Sequence, residues 1–114
     1  MEEKLNLTEI RANLEADLTE VRQNLQGEKA KINANRATNP DRSDLAYKFA
    51  SQDRRRALIS QMEERLEEIQ AALGRLEDGT FGICTSCGNP IAPARLEALP
   101  HAELCVACQS LHER

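Results

Sequence analysis

Aromatic side chains are almost missing from this 114-residue chain: Tyr47, Phe49 and Phe81 are all it has, and there is no tryptophan. Aromatics supply much of the bulk of a globular interior, so their scarcity argues against a large core. No apolar run approaches the ~20 residues that a membrane-spanning helix requires. Met1-Glu-Glu-Lys4 leads straight into an amphipathic pattern rather than into the apolar stretch of a secretory signal. A soluble, cytoplasmic protein is expected. Also absent are a Ser/His/Asp set and a glycine-rich phosphate loop, so the reading is of a protein that is not an enzyme.

Charge is plentiful but unevenly placed. Residues 1–20 carry six acids against two bases, and residues 57–78 repeat that balance. Residues 21–56 hold nine bases against four acids, so a basic middle lies between acidic flanks within a formal net charge of −4. That pattern argues against DNA binding by the whole chain. Arg95 is the one arginine or lysine between Gly79 and Arg114, too little to neutralise DNA phosphates, and sequence-specific DNA contact by that region is not expected.

Four cysteines, all in pairs of one spacing, carry the strongest chemical signal. Cys84-Thr-Ser-Cys87-Gly88 is answered, after 17 intervening residues, by Cys105-Val-Ala-Cys108. Two residues between cysteines let one tight turn aim both sulfurs at a single ion, and two such turns complete a tetrahedral zinc shell. Gly88 suits the exit from the first turn, where a positive φ costs glycine little. Two disulfides would need an oxidising compartment, a thioredoxin-like pair would need a βαβ unit, and iron accepts the same four thiolates. One structural Zn²⁺ held by Cys84, Cys87, Cys105 and Cys108 is the favoured reading; four thiolates close the shell and leave no position for substrate. His101 is read as an exposed loop residue outside that shell.

Ahead of the cysteines lie two helical patterns. Leu7, Ile10, Leu14, Leu18, Val21, Leu25 and Ile32 define one face, with Gly27 a weak spot inside it. Ile59, Met62, Leu66, Ile69, Leu73 and Leu76 repeat in three- and four-residue steps as a coiled-coil seam. Continued backward, that seam turns polar through Arg55, Gln52 and Lys48 to Leu45. Gly79 suits the position just beyond the second helix. The expected fold is mainly α. Residues 1–78 form a long antiparallel two-helix coiled-coil hairpin, about 45 Å long at ~1.5 Å per residue, with its tip at about 36–46. Residues 79–114 form a small four-cysteine zinc finger, opened by a short strand at Thr80–Ile83 and carrying a helical turn at Ala94–Ala98. A dimerising coiled coil is the alternative use of the same heptads.

The tip reads Asn39-Pro40-Asp41-Arg42-Ser43-Asp44-Leu45-Ala46. Helix capping accounts for one aspartate. The second, three residues on, leaves capping and function both open.

These segments together resemble the DksA/TraR family of C4-type zinc finger proteins. The resemblance rests on the tip Asp41-Arg-Ser-Asp44-Leu-Ala46 and on Arg75-Leu-Glu-Asp-Gly-Thr-Phe-Gly-Ile-Cys84-Thr-Ser-Cys87-Gly88. It continues through Pro93-Ala-Arg95-Leu-Glu-Ala-Leu-Pro100 and Leu104-Cys105-Val-Ala-Cys108. It implies a regulator that binds bacterial RNA polymerase as a monomer. The hairpin would enter the secondary channel and alter promoter-complex lifetime. On that likeness Asp41, Asp44 and Ala46 are effector residues, and Lys48, Arg54, Arg55 and Arg56 meet acidic channel walls. Where some members carry basic residues for guanosine tetraphosphate, this chain has Glu68, Leu99 and Gln109, which implies weak or absent alarmone synergy. A Gre-like transcript-cleavage factor and a zinc-stapled adaptor with no polymerase role are the alternatives.

Overall fold

The structure, a computed structural model, describes residues 6–36 and 45–113. Four helices occur among them: α1 (Leu7–Arg36), α2 (Leu45–Asp78), α3 (Pro93–Ala98) and α4 (Val106–His112). The two long helices form a helical hairpin. The tip aspartates Asp41 and Asp44 lie outside the described residues.

Helix α1 starts on a cap just ahead of its first apolar position. Asn6 accepts the Glu9 backbone N–H through Oδ1 at 3.1 Å, and its amide reaches the Glu9 carboxylate at 3.5 Å. The first of these bonds satisfies one of the backbone donors left over in a first helical turn. At the same end of the hairpin, α2 stops because Gly79 adopts φ 78°. The Thr80 N–H then bonds back to the Arg75 carbonyl at 3.0 Å, the six-to-one bond of a Schellman stop.

The chain divides into two compact units. One, Thr19–Glu67, holds the middle of the hairpin. Its core is Leu25, Ile32 and Ile59, with Met62 and Leu66 packed against it. Between Leu25 and Ile32 the α1 face presents Glu28 instead of an apolar residue. Glu28 Oε2 accepts Arg55 Nε of α2 at 2.9 Å. The polar seam foreseen at Arg55 is therefore answered by a polar position on the facing helix. A charged pair in an apolar stripe favours one register, because sliding either helix would leave a charge against hydrocarbon.

The second unit comprises the residues up to Leu18 and those from Glu68 onward. Ile10, Leu14, Ile69 and Ala72 are buried in its helical part. Beyond Gly79 its core is Cys84, Ile91, Leu96, Ala102 and Cys108, with Phe81, Leu104 and Cys105 packed against it. The expected strand at Thr80–Ile83 does not form. Gly82, at φ 85°, bends the chain, and one isolated antiparallel bridge, Ile83 to Pro90, is all the pairing there. Leu7, the first residue of the predicted apolar face, is 49% exposed.

Candidate metal centre

Each half of the centre is shaped by local chain geometry. In the first, the Gly88 N–H bonds to the Cys84 carbonyl at 3.0 Å and the Cys84 N–H to the Asn89 carbonyl at 2.9 Å. These bonds close a tight turn around Cys84 and Cys87. Gly88 has φ 77°, the left-handed conformation expected from its place in the sequence. In the second, Cys105 caps α4 and Cys108 lies in its first turn. The three-residue step there aims both sulfurs to one side.

Hydrogen bonds to backbone carbonyls hold the halves together. The Thr85 backbone N–H and hydroxyl both donate to the Glu103 carbonyl, at 2.9 and 3.3 Å. Arg95 of α3 donates through Nε to the Leu104 carbonyl at 3.0 Å, next to Cys105. Leu96, fully buried beside it, anchors α3 in the finger core, and Pro93 opens that helix where no N–H is needed. Arg75 at the end of α2 donates to the His101 carbonyl at 3.3 Å. Arg95 and Arg75 thus serve the finger through the backbone, a role that composition does not reveal.

All four sulfurs lie within 4.8 Å of one another. Four thiolates around zinc at about 2.3 Å stand roughly 3.8 Å apart, and the Cys87 and Cys105 sulfurs are separated by 3.8 Å. None of the four is in a disulfide. Cys84 and Cys108 are buried while Cys87 is exposed. The donor set and its spacing suit one zinc ion, which as a closed four-thiolate centre would crosslink the two knuckles. Without metal the thiols differ sharply. Backbone N–H groups of Cys105 and then Cys87 pull Cys84 down to about 6. Hydrogen bonds with the Cys105 and then the Cys84 thiol, together with burial, push Cys108 up to about 12. Cys84 is thus the readier of the two to give up its proton, and Cys108 the one that metal binding must deprotonate.

His101 is outside the cysteine cluster, as expected, but it is half-buried rather than exposed. Its Nε2 stands 3.5 Å from Glu68 Oε2, and its side chain is 22% exposed. Of the other predicted site residues, Ala46 is exposed in the first turn of α2. Arg55 is held by Glu28, Arg54 is exposed, and Arg56 makes a loose 3.9 Å pair with Asp53. Lys48 is half-buried. Among the described residues no helix is long and apolar enough to cross a membrane.

Comparison with known proteins agrees with this geometry. Residues 79–114 match the prokaryotic DksA/TraR C4-type zinc finger. The RNA polymerase-binding transcription factor DksA of Caulobacter vibrioides is 43% identical over 81 residues, covering 71% of this chain and 51% of that protein. Its namesake in Salmonella typhimurium is 39% identical over 70 residues, covering 61% of this chain and 42% of that protein. The chain thus spans about half the length of the curated relatives it matches. Among solved structures, transcription factor DksA2 from Pseudomonas aeruginosa superposes with a TM-score of 0.84 at 26% identity, covering 94% of this chain and 82% of that one. With the four-cysteine finger, the helical hairpin and these relatives in agreement, residues 79–114 are a DksA/TraR C4-type zinc finger, and the chain is similar to DksA proteins over most of its length.

Proposed function

We propose that this protein is a transcription regulator that binds RNA polymerase, enters its secondary channel with the hairpin tip and changes the lifetime of promoter complexes. The observation that carries the reading is the 43% identity, over 81 residues, to a protein named for binding RNA polymerase. In this reading zinc shapes the finger and takes no part in chemistry, the protein acts in the cytoplasm without catalysis, and Asp41, Asp44 and Ala46 are the effectors. The exposed Arg54 and Arg56 are the cations best placed to meet acidic channel walls, with Lys48 and Arg55 beside them. Such charges steer association and fix register more than they add affinity. Glu68 engages His101, which supports the expectation of weak alarmone synergy, since that position offers a carboxylate and not a cation.

The test is a promoter-complex lifetime measured with and without the protein, beside its capture by core polymerase. Wild type should bind core and shorten the lifetime. Asp44→Asn should still bind core but lose the effect on lifetime. Failure to bind core would remove the reading, and an Asp44→Asn variant as active as wild type would remove the tip assignment.

A further inference from the structure

The connection from α3 to the second knuckle is anchored at both ends by one residue. The Arg95 carbonyl accepts the Leu99 N–H at 2.7 Å, where α3 stops. The Arg95 side chain donates through Nε to the Leu104 carbonyl at 3.0 Å, just ahead of Cys105. Between those points the Ala102 N–H bonds to the Leu99 carbonyl at 3.0 Å, and the Glu103 carbonyl takes the Thr85 N–H at 2.9 Å. These last two bonds join backbone to backbone and survive side-chain replacement. The bond at Leu104 depends on the side chain of Arg95.

The carbonyl that Arg95 holds belongs to the same planar peptide unit as the Cys105 N–H. That N–H in turn bonds to the sulfur of Cys84, on the opposite knuckle. One rigid plane therefore has a guanidinium at its oxygen and a metal-ligand sulfur at its hydrogen. Turning the plane would break both bonds together. A donor at the carbonyl also polarises the unit and strengthens its N–H. Four thiolates and one Zn²⁺ carry a summed charge of about −2, which an N–H aimed at sulfur helps to offset. Arg95 is also the one arginine or lysine between Gly79 and Arg114, so plain charge attraction to the centre is the rival account of its presence.

We propose that Arg95 is a positioning residue for the zinc: by holding the Leu104–Cys105 peptide it seats Cys105 on the ion and aims an N–H at the Cys84 sulfur. It is not itself a ligand. Outer-shell partners of this kind typically contribute about ten- to a hundredfold in metal affinity.

The experiment measures zinc affinity by competition with a chromophoric chelator on the reduced full chain, in wild type, Arg95→Met and Arg95→Gln. Methionine keeps the bulk without a donor. Glutamine places an amide N–H at the same bond count from Cα as the arginine Nε, without the charge. Arg95→Met should weaken zinc binding about tenfold or more, and Arg95→Gln should recover most of that loss. Cobalt(II) in place of zinc reports the sulfurs directly. At saturation Arg95→Met should show its thiolate-to-cobalt charge-transfer band at longer wavelength than wild type, because a sulfur with a weaker hydrogen bond releases electron density more readily. Arg95→Gln should lie close to wild type. A finger that is merely less stable would show the wild-type band once saturated. The proposal is overturned if Arg95→Met binds zinc as wild type does, if Arg95→Gln loses as much as Arg95→Met, or if the saturated cobalt spectra of wild type and Arg95→Met coincide.

Discussion

Two glycines and one leucine show how single positions carry this fold. Gly27 and Gly74 sit inside α1 and α2, and a Cβ built at either meets nothing within 4 Å. Neither has the positive φ that protects Gly79 and Gly88 from replacement. Gly27→Ala should therefore raise stability by roughly 0.5–1 kcal/mol, the helical cost of glycine relative to alanine, read as a higher urea midpoint. Gly88→Ala should lower stability, because alanine resists that backbone conformation. Leu96 is the opposite case, with no surface left exposed. Leu96→Ala should cost about 2–5 kcal/mol through lost burial and the cavity left behind, visible as a finger that melts before the hairpin. What was legible here follows from covalent constraint. Gly79 and Gly88 announced their φ because few other residues tolerate it. The burial of Leu96 could not be read, since one leucine in a six-residue helix has no period to betray its inward face.

At the scale of the element, the hairpin is specified by what interrupts its apolar stripe as much as by the stripe. The periodicities of α1 and α2 were plain in the sequence because burial of one face repeats every three or four residues. Ile10, Leu14, Val21, Leu25, Ile32, Ile59 and Ile69 are buried accordingly. The Glu28–Arg55 pair was half legible: Arg55 stood out as a polar seam residue, but nothing local tied it to a residue 27 positions earlier. The short strand failed for a related reason. Thr80–Ile83 has β-like residues, yet Gly82 and the knuckle leave length for only one bridge. The pair also gives the hairpin an acid sensitivity. Partial burial raises the Glu28 carboxyl, but hydrogen bonds and charge from Lys31 and Arg55 outweigh it and hold the group below its ordinary 4.5. A carboxylate lowered on folding stabilises above its unfolded value, and that contribution is lost as pH falls through the folded one. Thermal melts of wild type and Glu28→Gln should differ most near neutrality and converge on acidification below about pH 4.5. A difference that grows in acid would place the carboxyl on the other side of its ordinary value.

For the whole molecule, the division of labour is between a finger that needs metal and a hairpin whose stripe is made of side chains alone. Apart from its cysteines the finger's buried cluster is Ile91, Leu96 and Ala102. So small an apolar core rarely holds a fold without a staple. The four-cysteine spacing disclosed this from the sequence, since two matching C-x-x-C turns can aim all four sulfurs at one ion. The contributions of Arg75, Arg95, Thr85 and Glu103 were hidden, because they act through backbone carbonyls that only the folded chain brings near. Chelation should therefore abolish the protection of finger amides against hydrogen exchange while leaving slow amides in Thr19–Glu67.

The claim on which the rest depends is that Cys84, Cys87, Cys105 and Cys108 share one zinc. Metal analysis of the protein purified under reducing conditions, paired with thiol titration before and after a strong chelator, tests it directly. The account predicts one zinc per chain, absent in Cys84→Ser, with four thiols becoming reactive as the metal leaves. A metal-free protein whose finger amides remain protected, or one whose cysteines are found oxidised in pairs, would contradict it.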